Sequence, residues 1–84
     1  MQPDLAYCVQ WTTTRLGTTY TDSEGAGQHP AKDYSVDKLA VMARRAACKR
    51  KRDTGTKWHW RILATKDLRT WQSTGMESSG YPHA

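Results

Sequence analysis

The chain has 84 residues and a net charge of +5, and its length suits one domain built around a single small core. It contains no run of about 18 apolar residues and does not begin with a basic segment followed by an apolar one, so we expect neither a membrane span nor a signal peptide. Its two cysteines, Cys8 and Cys48, are too few and too far apart for the disulfide framework of a secreted domain, so we expect a reduced, cytoplasmic protein.

Residues 5–21 are predicted to form an N-terminal strand and hairpin. Tyr7, Val9 and Trp11 alternate with smaller or polar residues, which is the period-two pattern of a strand with one buried face. The Thr-rich stretch that follows predicts a returning strand after a turn within residues 14–17. Residues 22–34 are polar and contain glycine and proline, so they are predicted to form a loop.

Residues 35–52, with the sequence SVDKLAVMARRAACKRKR, predict one basic amphipathic helix. Ser35 is a suitable N-cap, and Gly55 can take the left-handed conformation that ends a helix. At about 100° per residue, one stripe of this helix is apolar and rich in alanine, and it consists of Val36, Leu39, Ala40, Ala43, Ala46 and Ala47. Arg50 lies next to the stripe, so we expect its aliphatic stem to follow the edge of the core with its guanidinium in water.

Residues 57–74 predict a C-terminal hairpin. Trp58, Trp60 and Ile62 share one side of its first strand and supply the bulk that the alanines of the helix leave room for. Asp67 is predicted to close the turn, with Trp71 packing beside it, and residues 76–84 are predicted to be a loose tail. Together these elements predict an α+β fold, in which an antiparallel sheet of about three or four strands in ββαββ order is covered on one face by a single amphipathic helix.

No combination of residues predicts a catalytic or metal site. The candidate metal ligands do not pair at the usual ligand spacings, and they are His29, His59, His83, Cys8 and Cys48. Cys48 lies among cations without a histidine nearby in the sequence, and the acidic residues are scattered singly. Gly25-Ala26-Gly27 is not followed by the Lys and Ser or Thr of a phosphate-binding loop. We therefore expect no enzyme activity, cofactor, metal or small-molecule substrate, with a small ribonuclease that uses only Lys, Arg and His as an alternative.

The positive charge is concentrated in the middle of the chain. Residues 35–69 carry eleven Lys and Arg residues against three Asp residues, a local charge of +8. Such a surface is typical of proteins that meet an anionic partner, above all nucleic acid or a nucleoprotein complex, although a basic helix face can also be simply solvated. The candidate residues for nucleic-acid or partner binding are Arg44, Arg45, Lys49, Lys51, Arg52, Lys57 and Arg61.

The segment SVDKLAVMARRAACKRKR, followed by KWHWRILATKDLRTW in so short a chain, resembles in its layout several anti-CRISPR proteins, which are small accessory proteins of phages and mobile elements. The resemblance covers residues 35–72. It implies a non-enzymatic inhibitor that binds a host nucleoprotein complex, by occupying the path of the nucleic acid or by gripping DNA through helix cations. Because this chain is basic, it departs from the acidic inhibitors that imitate nucleic acid.

The sequence thus predicts a small basic binding protein that engages nucleic acid or a nucleic-acid-handling complex. The alternative is a protein–protein interaction or homodimerisation module, because one helix on a sheet leaves the other sheet face open.

Overall fold

The computed structural model describes residues 3–23 and 29–82. It contains one helix and an antiparallel sheet. In chain order the elements are β1 (Ala6–Arg15), β2 (Thr18–Ser23), β3 (His29–Pro30), α1 (Val36–Thr54), β4 (His59–Thr65) and β5 (Trp71–Glu77). The strands lie in the order β2-β1-β4-β5, and β3 pairs with the first residues of β1. Thus β1 and β4 form the centre of the sheet.

The predicted α+β class with one helix and a small antiparallel sheet is confirmed, but the predicted ββαββ order is wrong. Three strands precede the helix, because β3 lies inside the segment predicted as a loop. The segment is anchored by the backbone: the Ala31 N–H donates to the Leu5 carbonyl at 2.9 Å. A two-residue strand that contains Pro30 has no side-chain periodicity, so the sequence pattern could not reveal it.

Helix α1 begins and ends at the predicted caps. The Ser35 hydroxyl accepts a hydrogen bond from the Lys38 N–H at 3.1 Å. Gly55 has a φ of 71°, and its N–H donates to the Lys51 carbonyl at 2.8 Å. This left-handed residue reverses the chain toward β4. The helix therefore continues to Thr54, two residues beyond the predicted end at position 52.

The core lies between α1 and the two central strands. The helix contributes the buried Leu39, Ala40 and Ala43, and the sheet contributes the larger side chains, which are Val9, Trp11, Trp60 and Ile62. Because the alanines have small side chains, the helix lies close enough to the sheet for the two tryptophans to fill the space beneath it. The predicted packing of alanines on tryptophans is confirmed.

The second face of the sheet is buried over the two central strands, whereas β2 is exposed along its whole length. The small and medium-sized residues of these central strands are buried although no helix covers them, and they are Ala6, Cys8, Thr12, Leu63 and Thr65. The segment predicted as a loose tail contributes to this cover. The Tyr81 hydroxyl donates to Gln10 Oε1 at 3.1 Å, and the Arg61 guanidinium lies 5.1 Å from the Tyr81 ring centre. Burial raises the pKa of the Tyr81 phenol, against the opposing effect of the Arg61 charge.

The prediction of a loose tail from position 76 is therefore wrong for the described residues. Strand β5 continues to Glu77, and the Ser78 N–H donates to the Trp60 carbonyl at 2.8 Å. The prediction failed because the contacts are long-range, with Tyr81 bonding to a residue 71 positions earlier. The segment after β5 thus covers part of the sheet face that the homodimer alternative would use, while β2 leaves part of that face exposed. That alternative stays a prediction.

The turn between β4 and β5 is built on Asp67, as predicted. Its Oδ1 accepts hydrogen bonds from the backbone N–H groups of Arg69 and Thr70, both at 2.8 Å. The bonds from Thr70 and Arg69 stabilise the ionised carboxylate and lower the pKa of Asp67. Leu68 takes a positive φ of 63° inside this turn.

Candidate functional site

A groove of about 840 Å³ lies between the second half of α1, the start of β4 and the segment after β5. We call it the basic groove. Its rim consists of five cationic side chains, which are Arg44, Arg45, Lys51, Arg52 and Lys57. All five are exposed.

Helix periodicity places four of these cations along one side of α1. Arg44 and Lys51 are seven residues apart, as are Arg45 and Arg52, so the members of each pair lie nearly two turns and about 10 Å apart along the axis. Lys57 joins them because the chain reverses at Gly55 and enters β4 beside the helix. The rim is therefore an extended row of charge.

The floor of the basic groove is apolar and partly aromatic. It contains Ala47 from the helix and Trp58 and Trp60 from the start of β4. Trp60 is only 3% exposed, whereas Trp58 is half-buried. The indole N–H of Trp58 is buried and has no hydrogen-bond acceptor among the described residues. Such an unsatisfied buried donor costs free energy within the fold.

The rim cations have no acidic partners in the part of the chain that the structure describes. None of the five has a carboxylate oxygen within 4.0 Å among residues 3–23 and 29–82. No aspartate or glutamate lines the groove between these described elements. The groove therefore combines a positive rim with an apolar floor, which suits a ligand that carries both negative charge and flat apolar groups.

Arg50, by contrast, is held inside the fold. Its guanidinium carbon lies 4.4 Å from the Trp11 ring centre and 4.9 Å from the Trp58 ring centre. Its Nη2 donates to Asp22 Oδ2 at 3.2 Å. The prediction that the stem of Arg50 follows the edge of the core is confirmed, but the predicted position of its guanidinium in water is wrong. The guanidinium packs on two tryptophan rings and pairs with Asp22, so the charge of this residue is used within the protein.

Five of the seven residues predicted for partner binding meet at the basic groove, and two do not. Lys49 is exposed on the helix but does not line the groove. Arg61 was grouped wrongly with the helix cations: it lies on the second face of the sheet, where its Nε donates to Gln10 Oε1 at 2.7 Å. Alternation along β4 puts Arg61 on the face opposite Trp60, which faces the helix.

The sequence did not reveal the groove floor or its neighbours. Alternation along β4 predicts only a core role for Trp58, and no local pattern indicates that Cys48 and His59 line one groove. His59 Nδ1 lies 3.1 Å from the Ser79 carbonyl oxygen, and Cys48 is exposed. Only the topology brings the middle of the helix beside the first residues of β4.

Within residues 3–23 and 29–82, no three His, Cys, Asp or Glu side chains are grouped so that they could hold a metal ion. The predictions concerning Gly25-Ala26-Gly27 and His83 fall outside the described residues. The described helix is not apolar enough to cross a membrane.

Comparisons of the chain with protein families, curated proteins and solved structures found no significant match. The likeness of its layout to anti-CRISPR proteins therefore stays a prediction.

Proposed function

We propose that this protein binds nucleic acid through the basic groove, without catalysing a reaction. The observation that carries the proposal is the row of five exposed cations that have no carboxylate partner in the described part of the chain. Arg50 and Arg61, whose charges are used inside the fold, are not part of the proposed contact.

The shape of the rim favours a polyanion over a single small anion. Its cations extend about 10 Å along the helix and continue to Lys57 on the opposite wall. A polymer with regularly spaced phosphates can contact several of them at once and release the counterions that each phosphate had condensed. Contacts of this kind give binding that is strong at low salt and weakens steeply as salt is added.

The proposed role as an inhibitor or accessory factor of a nucleic-acid-handling complex rests on the same groove. A protein of 84 residues that occupies the nucleic-acid-binding site of a larger complex needs no active site of its own. Intact RNA after prolonged incubation with the purified protein is the result expected of such a binder, and cleaved RNA would instead favour the ribonuclease alternative.

Fluorescence anisotropy with labelled DNA and RNA at several salt concentrations tests the proposal. With five phosphate contacts, the slope of log K against log salt should lie between about −3.5 and −4.5, so affinity should fall on the order of 100-fold or more between 50 and 200 mM salt. The absence of binding at about 50 mM salt would overturn the proposal.

A pair of triple variants separates the groove from net charge. The first replaces three rim residues, Arg44→Gln, Lys51→Gln and Arg52→Gln. The second, matched in charge, replaces three exposed cations outside the basic groove, Arg15→Gln, Lys32→Gln and Arg69→Gln. The rim variant should lose most of the affinity and most of the salt slope, whereas the control should lose little. Equal losses would show that attraction is diffuse and that the groove is not the site.

A further inference from the structure

We infer that the basic groove selects single-stranded nucleic acid over duplex, by taking a base onto its aromatic floor while the rim holds the flanking phosphates. This inference rests on the proposed function and adds to it the class of nucleic acid. The feature that carries it is the position of Trp58, which lines the same groove as the five rim cations.

Phosphate attraction alone does not require such a floor. A helix that reads a duplex presents its outer side to a major groove about 12 Å wide and contacts the base edges there. In the basic groove, four cations instead lie on the helix side of a recess and Lys57 lies on its opposite wall. The floor of this recess is formed by Ala47, Trp58 and Trp60. In a duplex the flat faces of the bases are stacked on one another, so no base face is free to stack on this floor.

A single strand can contact both the cationic rim and the aromatic floor of the groove. Its phosphates contact the rim, and an unstacked base can lie against the partly exposed Trp58. Stacking on an aromatic side chain is tolerant of sequence, because every base has a flat π face. The volume of about 840 Å³ is large enough for a base together with its sugar and a phosphate.

The polar atoms near the floor fit a nucleobase better than a plain polyanion. The hydroxyl-bearing Ser78 and Ser79 complete the wall opposite the helix. A polyphosphate has no flat apolar surface, so it would use only the rim.

The test compares three competitors for a bound, labelled single strand of about 12 nucleotides: the unlabelled strand as DNA or RNA, its duplex, and polyphosphate of equal charge. Both single strands should compete at least about fivefold better than the duplex or the polyphosphate, as expected for one stacked base. Trp58→Leu should abolish this preference, and Trp58→Phe should retain most of it because the ring remains.

A second measurement does not depend on whether the Trp58 variants fold. In a Trp71→Phe background the remaining tryptophans are Trp58 and the buried Trp11 and Trp60. Single strands should quench tryptophan emission, and polyphosphate should not. Duplex binding as tight as single-strand binding, or quenching that is equal for polyphosphate, would overturn the inference while leaving the proposed function standing. If none of the nucleic acids binds, both fail.

Discussion

Arg50 and Arg52 lie two residues apart near the end of the helix, but their guanidinium groups have different surroundings. Arg50 stacks against Trp11 and Trp58 and pairs with Asp22, whereas Arg52 projects from the rim of the basic groove with no carboxylate within 4.0 Å among the described residues. Each of these two arginines adds one positive charge to the net charge of the sequence. The packing around a cation therefore decides whether it stabilises the fold or remains available to a partner, and the density of cations in the sequence does not.

The largest effect should follow from removing the cation held within the fold. Arg50→Met keeps an apolar stem but loses the cation–π interaction with both rings and the ion pair, so we expect the free energy of unfolding to fall by about 1–3 kcal/mol. Arg52→Met is the matched control and should change it by less than about 0.5 kcal/mol. Urea denaturation of the two variants measures the difference. Equal losses would remove the distinction between the two arginines.

A smaller effect is expected on single-strand affinity, which should depend on the rim of the basic groove and not on the second face of the sheet. Arg44→Gln and Arg61→Gln remove the same charge, but only Arg44 lines the basic groove. At about 0.1 M salt, Arg44→Gln should weaken single-strand binding roughly fivefold and reduce the salt slope by about 0.7. Arg61→Gln should weaken binding less than about twofold. Anisotropy titrations of both variants measure these affinities. A greater loss of affinity in Arg61→Gln would show that the strand binds the second face of the sheet and not the basic groove.

The smallest effect is expected on the pH dependence of stability and concerns a carboxylate, that of Asp67. The backbone N–H groups of Thr70 and Arg69 lower the pKa of Asp67, so its ionised form stabilises the fold above the pKa of the unfolded chain, about 4. That stability is lost as the pH falls through the lower pKa of the folded protein.

Asp67→Asn should therefore lose less stability than the wild type between pH 6 and pH 3, both taken as approximate limits, in urea unfolding experiments. Asp53→Asn is the control because no hydrogen bond or ion pair to Asp53 is formed among the described residues. It should keep the acid dependence of the wild type. An unchanged dependence in Asp67→Asn would show that the turn does not hold the carboxylate.

Much of the fold could be predicted from local patterns. Ser35 and Gly55 mark the ends of the helix because capping is a property of a few neighbouring residues. The alanine stripe of the helix and the alternation around Trp60 and Ile62 likewise indicate which faces meet. What these patterns have in common is that each needs only the residues within one element.

The basic groove could be predicted only in part, because it forms where separate elements meet. The helix cations were evident, but Trp58, Ser78 and Ser79 join them through the strand order and the chain reversal at Gly55. The position of Arg61 away from the groove is predictable from the sequence, since alternation along β4 places it opposite Trp60. The fold of the segment after β5 could not, because Tyr81 meets Gln10 across 71 positions.

The most direct test of the central claim uses a thiol already present in the basic groove. Cys48 is exposed and lines the groove, whereas Cys8 is buried, so iodoacetamide should modify Cys48 selectively in the folded protein. With a single strand present at about 10 times its Kd, we predict that the alkylation rate of Cys48 falls about tenfold, as measured by peptide mass spectrometry. An alkylation rate that does not change when the strand is bound would contradict the claim that the groove is the binding site.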